Sequence, residues 1–261
     1  MNWSDIRRQN IGSAPIIVNV PSKASLLSDI ELRLKENRGF CIATLNLDHV
    51  VKFHQSRAFR DAYTRHSHVT ADGNPIVWLS RLAGHSIGLV PGSELIDPVT
   101  EIAARLDAPV AFFGSTQASL DSAALALARR HAGLSVAAKI APTMEFDPQG
   151  AEADACIDTI RASGARICFL ALGAPKQEIF AIRAHEKLPD IGFLSIGAGL
   201  DFISGAKTRA PEIIRAFGGE WLWRLVANPR RLAGRYGACI AILPRLMREA
   251  LHSRANAEPE S

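Results

Sequence analysis

Asp72 stands in an Ala-Asp-Gly turn directly after the β-branched run Val69-Thr70-Ala71. A carboxylate at a strand end could accept the proton of an attacking hydroxyl if burial lifts its pKa towards the working pH. The plainer alternative is an N-cap for the helix that Pro75 starts. Thr44 and Asn46 close an earlier apolar run two residues apart, so they face one side of a strand. They could hold sugar hydroxyls, or simply satisfy loose backbone groups. Lys176 and Gln177 follow Leu172-Gly173-Ala174-Pro175 at a helix start. There an amide could bond a sugar or phosphate oxygen and a lysine could offset pyrophosphate charge, although a surface lysine is ordinary at such a place. Gly114-Ser115-Thr116 and Gly197-Ala198-Gly199 end two further runs, where glycine lets backbone N–H groups approach a phosphate with a helix N-terminus behind them. Asp201, Lys207 and Arg209 follow the last of these.

Strand-like runs that alternate with helical patterns must position these residues. Strands are expected over 16–20, 40–47, 69–71, 109–113, 135–140, 167–172 and 193–196. Helices are expected over 22–36 with a serine cap, 49–65, from Pro75, and over 94–106, 118–131, 151–163 and 175–187. The alternation predicts an α/β fold: a doubly wound, mainly parallel sheet with helices on both faces. Ligands of such sheets bind at the carboxyl ends of the strands, where the small and polar residues above recur. After residue 205 the strands stop, and helices are expected over 211–217, 220–227 and 229–251. The division is a catalytic domain, 1–205, and a helical appendage, 206–261.

Charge follows the same division. Residues 207–261 carry 10 Lys/Arg against 5 Asp/Glu, whereas the preceding 206 residues carry 20 against 21. The whole basic excess of the chain therefore lies in the appendage, which calls for an anionic partner. Arg224, Arg231 and Arg235 recur at helical spacing, with Arg230 beside them. Trp221, Leu225, Leu232 and Tyr236 offer an apolar stripe. Together they read as an interfacial helix docked on an acidic membrane surface. The segment matches no nucleic-acid-binding module.

Other classes fit poorly. The first eight residues lack the apolar stretch of a signal peptide, and no run approaches a membrane span, so the expected address is the cytoplasm, peripheral on the membrane. Cys41, Cys156, Cys168 and Cys239 show no metal-ligand spacing and read as buried thiols. His49, His54, His66 and His68 match neither a zincin nor a triad and read as structural or surface residues. No Asp-x-Asp follows a strand, so a metal bridging a donor diphosphate is not indicated; nor is a G-x-G-x-x-G or a P-loop present.

Thr-Leu-Asn (44–46), Ala-Asp-Gly (71–73), Leu-Gly-Ala-Pro-Lys-Gln-Glu (172–178), the run 197–211, Glu-Trp-Leu-Trp-Arg-Leu (220–225) and Asn-Pro-Arg-Arg-Leu (228–232) together resemble the TagA/WecG/CpsF glycosyltransferase family. The resemblance runs from about residue 15 to 250. It implies metal-independent, inverting transfer from a UDP-sugar to an undecaprenyl-diphosphate-linked sugar, with no cofactor beyond the co-substrate. Asp72 would be the general base, Thr44 and Asn46 would position a sugar, Gln177 would share the pocket, and the basic appendage would dock on the inner membrane face. Gly114, Ser115, Gly173, Lys176, Asp201, Lys207 and Arg209 are expected on the donor side. One departure stands out. Members of the family often carry Arg where this chain has Leu89, so the identity of the sugar does not carry over. The rival readings are another nucleotide-dependent transferase, such as a methyltransferase, and a non-catalytic membrane-surface sensor in which Asp72 merely caps a helix. A homo-oligomer is left open.

Overall fold

The computed structural model describes residues 1, 3, 15–208, 211, 223, 225–226 and 229–255. Six strands form one sheet: β1 (Phe40–Leu45), β2 (His68–Ala71), β3 (Val110–Gly114), β4 (Val136–Ile140), β5 (Ile167–Ala171) and β6 (Gly192–Ser195). Their order is β2-β1-β6-β5-β3-β4, and every pairing is parallel. The helices are α1 (Lys23–Lys35), α2 (Leu47–Phe53), α3 (Arg57–Thr64), α4 (Asn74–Leu82), α5 (Ile96–Arg105), α6 (Gln117–Arg130), α7 (Ala151–Ser163), α8 (Lys176–Lys187), α9 (Gly199–Ile203) and α10 (Pro229–Ala255).

The expected α/β architecture is therefore present. Its central strands are continuous apolar runs because both faces are covered. Strand alternation sorts them: Phe40, Ile42, Val110, Phe112, Ile167 and Phe169 join one core with Leu26, Ile30 and Leu34 of α1 and Leu120 and Leu127 of α6. Cys41, Ala111, Phe113, Cys168, Leu170 and Phe193 join a second core with α7 and α8. A third core gathers Ala43, Leu45, Val50, Phe53, Phe59, Tyr63, Ile76 and Leu246, which joins α10 to the β1–β2 end of the sheet.

Two expectations need correction. Residues 16–20 form no strand of the sheet. The segment runs beside β2, but its backbone reaches only the Val69 carbonyl, through Asn19 N–H at 3.2 Å and Val20 N–H at 3.4 Å. The Asn19 side chain makes the flanking bonds: Oδ1 accepts from Val69 N–H at 2.8 Å, and Nδ2 donates to the Ser67 carbonyl at 2.8 Å. The single helix over 49–65 is two helices. Ser56 caps α3 by accepting from Phe59 N–H at 3.2 Å. The break folds Phe53, Phe59 and Tyr63 onto one another, with ring centroids 4.9–5.2 Å apart. The helices expected over 211–217 and 220–227 lie largely outside the described residues.

Candidate active site

Five strand ends converge at the carboxyl edge. β3 leads outward to β4 while β5 leads inward to β6, so the chain direction reverses between these two neighbours, where a crevice is expected. Gly114 makes the junction possible: a Cβ there would lie 2.6 Å from the Ala171 carbonyl. Ser115 N–H donates to that same carbonyl at 3.2 Å.

Asp201, at the start of α9, is the hub on this side. Its Oδ1 accepts from the hydroxyls of Ser115 and Ser119, the latter at 3.0 Å, and its Oδ2 accepts from Lys207. Burial pushes the carboxyl pKa up, but the bonds from Lys207 and Ser115 and the lysine charge outweigh it and hold the group below the usual carboxylate range. Four sequence-predicted residues, Gly114, Ser115, Asp201 and Lys207, thus form one unit. Arg209 lies outside the described residues.

Gln177 joins two loops. It is buried; its Oε1 accepts from Gly173 N–H and from Gly197 N–H, each at 3.2 Å, and its Nε2 donates to Glu178 Oε1 at 2.8 Å. The two glycine N–H groups expected to face a phosphate therefore face this amide instead. Lys176 begins α8, half-buried, beyond the Ala174–Pro175 bond, which is cis.

At the other end of the edge, Asp72 N–H donates to the Leu45 carbonyl at 2.7 Å, which seats the Asp72 turn on the end of β1. Helix α4 has Gly73 at its N-cap and no side-chain cap, so Asp72 does not do the capping work that the plainer alternative assigned to it. Asn46 does: its Oδ1 accepts from His49 N–H at 3.1 Å and caps α2. Thr44 is buried under Gly92, where a Cβ would press to 3.1 Å from the Thr44 methyl and 2.7 Å from the Ser195 carbonyl. Leu89 bridges Ala71, so the residue at which the chain departs from its resemblance borders the Asp72 turn.

Beneath this turn, His49 Nδ1 bonds the Tyr63 hydroxyl at 2.7 Å. Burial drives the His49 pKa down to about 3, and that of His66 to about 4, so both rings are neutral near pH 7. Burial raises the Tyr63 phenol pKa, and the charges of Glu178 and Asp72 raise it further, which places both carboxyls within electrostatic reach of the ring.

The appendage meets this half of the edge. Helix α10 packs on α2 and α4. Arg235 pairs with the buried Asp48 at 2.7 Å; Asp48 also pairs with Lys52 at 2.8 Å, and Lys52 Nζ donates to the Ala174 carbonyl at 3.1 Å. Arg235, expected to meet lipid, is held by its pair with Asp48, with its side chain still partly exposed. Leu232, expected on a lipid-facing stripe, is buried, as are Leu246 and Ala250; Leu246 belongs to the third core, with Ile242 and Leu243 packed against it. The exposed apolar groups of α10 are Ile240, Met247 and Leu251 on another side of the helix. Arg230 is exposed in its first turn. Trp221, Arg224 and the Arg231 side chain lie outside the described residues.

Sequence reasoning missed Asp48 and Glu178. Glu178 shares a helical face with the buried Ala181 and Ile182, and that periodicity marks it as an inward carboxyl. A surface depression of about 310 Å³ lies between α3 and α8, but its lining includes the ion-paired Arg65, Arg183 and Glu186 and none of the strand-end residues. Among the described residues no three His, Cys, Asp or Glu side chains gather as a metal-binding group, and no helix is long and apolar enough to cross a membrane.

Comparison with known families places this arrangement. The model of the "Glycosyl transferase WecG/TagA/CpsF family" matches residues 11–257. The chain belongs to that family, and its work is glycosyl transfer in cell-surface polysaccharide biosynthesis.

Proposed function

We propose that this member of the WecG/TagA/CpsF family moves a sugar from a UDP donor to a polyprenyl-diphosphate-linked sugar, with inversion and without a metal. The observation that carries the reading is the Asp72 turn: it is seated on β1 by its own N–H, yet its side chain is not the cap of α4. In this reading Asp72 takes the proton of the acceptor hydroxyl as that oxygen attacks the anomeric carbon from the side opposite the leaving UDP. One base and a stabilised leaving group suffice for a single in-line displacement. The Gly114–Ser115–Asp201–Lys207 unit supports a donor site, since Ser115 and Lys207 are oriented by Asp201 at the sheet crevice. The Asp72 geometry also counts against a sensor in which that residue is merely a cap.

The acceptor's lipid supports a peripheral position on an acidic membrane. Ile240, Met247 and Leu251 are the groups of α10 available to enter the headgroup boundary, with Arg248 among them to meet lipid phosphate. The test is a panel of UDP-sugars with a lipid-diphosphate-sugar acceptor, in excess EDTA, with the anomeric configuration of the product determined. A product of inverted configuration formed in EDTA supports the reading. Retention of configuration, or strict dependence on an added divalent ion, sinks the corresponding part of it.

A further inference from the structure

Glu178 is fully buried in the first turn of α8, and its Oε2 has no hydrogen-bond partner among the described residues. A buried oxygen without a partner is costly, and so is a buried carboxyl where a neutral amide would accept the same bond. Its one side-chain bond explains its place. Two backbone N–H donors, from Gly173 and Gly197, converge on the Gln177 side chain, and only the amide oxygen can receive them. That orientation turns the Gln177 NH₂ inward, away from solvent, where it must find an acceptor. Glu178 Oε1 is that acceptor, at 2.8 Å.

We propose that Glu178 is a positioning residue of the candidate site: it fixes the Gln177 amide so that one oxygen holds the loops after β5 and β6 together at the carboxyl edge. The second loop runs directly into Asp201, so the staple also sets the start of α9 and with it the Asp201–Ser115–Lys207 unit. The consequence for nucleotide binding rests on the donor reading above; the staple itself does not.

Among the described residues the charged and titratable groups that act on Glu178 are Lys52 from α2 and the Tyr63 phenol from α3, with the uncharged Gln177 beside it on its own helix. Burial raises the Glu178 pKa to about 7, and the Gln177 bond, the residue's own backbone N–H and the Lys52 charge restrain the rise. The ionised carboxylate is the stronger acceptor, so the staple tightens as pH rises through neutrality.

The experiment uses the full chain as wild type, Glu178→Gln and Glu178→Ala, with two readouts: amide hydrogen exchange at Gly173 and Gly197, and UDP affinity at about pH 6 and about pH 8.5. In folded Glu178→Ala both amides should exchange about tenfold faster and UDP should bind about tenfold more weakly, the scale of one lost buried hydrogen bond. Glu178→Gln keeps an acceptor and should match wild type at the lower pH. On raising the pH, wild type should gain UDP affinity relative to Glu178→Gln; the comparison cancels the titration of the terminal phosphate of UDP itself, with its pKa of about 6. If Glu178→Ala does not fold, the same two-pH comparison of wild type and Glu178→Gln, read by exchange at Gly173 and Gly197, decides alone. Unchanged exchange at both glycines in a folded alanine variant, or, where that variant does not fold, exchange at both glycines that responds to pH identically in wild type and Glu178→Gln, overturns the proposal. A wild type that binds no UDP while the exchange result holds would instead fell the donor reading and leave the staple standing.

Discussion

The two halves of the carboxyl edge each present an aspartate, and they are built in opposite ways. Beside β3, Asp201 is enclosed by donors from Ser115, Ser119 and Lys207 and is held ionised below the usual carboxylate range. Such a group orients its neighbours and is a poor proton acceptor near neutral pH. Beside β1, Asp72 sits half-buried in a turn fixed by its backbone, next to a phenol whose titration its charge alters. The first half is a finished electrostatic unit. The second borders Leu89 and carries α10, so it is the half that the appendage can influence.

The widest gap between the halves should appear in turnover. Asp72→Asn keeps the size and the backbone seat but removes the base, so kcat should fall by about 10²–10⁴-fold with little change in Tm. Near-normal turnover in the folded variant would remove Asp72 from the chemistry and undo the comparison.

The next effect concerns the helix that only one half carries. Leu246 is fully buried in the core shared with α2 and α4, whereas Met247, its neighbour, is half exposed. Leu246→Ala should cost about 2–5 kcal/mol of stability. Met247→Ala should cost little and instead weaken liposome binding in a salt-sensitive background. For the same reason, deleting α10 should destabilise the chain as well as release it from membranes. Denaturant unfolding and vesicle sedimentation separate the two outcomes; a truncated chain with the stability of wild type would show that α10 is a detachable anchor.

On the other half, Asp201→Asn should weaken UDP affinity by about tenfold, the cost of disordering one charge-assisted contact at Lys207, while kcat changes less. Calorimetric titration with UDP checks it. A loss confined to kcat would move Asp201 into the chemistry and erase the contrast.

Much of this edge was legible in the sequence because strand ends announce themselves: apolar runs that stop at Thr44-Leu45-Asn46, Asp72-Gly73, Gly114-Ser115 and Gly173 mark where a parallel sheet offers its ligand side. What each side chain does there was less legible, because it depends on contacts between distant segments. Nothing local says that Asn46 caps a helix while Asp72 does not, or that Gln177 faces two glycine amides. The break at Ser56 was hidden by good helical periodicity on both sides. Helix α10 has apolar groups on more than one side, so sequence alone could not tell Leu246, which the third core claims, or the buried Leu232 from the exposed Ile240, Met247 and Leu251. Arg235 looked like a lipid contact because its partner, Asp48, lies far away in the chain.

The smallest effect probes the boundary between the halves, where Glu178 lies. Its folded pKa of about 7 stands above the ordinary 4.5, with burial the main cause. The folded chain therefore binds an extra proton between these values. The sign follows from linkage: the contribution of this group to stability is complete below pH 4.5 and is lost as pH rises through 7. The difference corresponds to at most about 3 kcal/mol. His49 and His66 act in the opposite sense, since their folded pKa values of about 3 and about 4 lie below the ordinary 6.5, and the fold gains from them as pH rises. Wild-type stability alone would blend the two trends. The Tm difference between Glu178→Gln and wild type isolates the carboxyl, because both proteins share the histidines. That difference should shift in favour of Glu178→Gln by a few °C between about pH 5 and about pH 8. A constant difference across that range would mean that Glu178 does not change its charge there, and the two halves of the edge would then be joined by a neutral link rather than a titrating one.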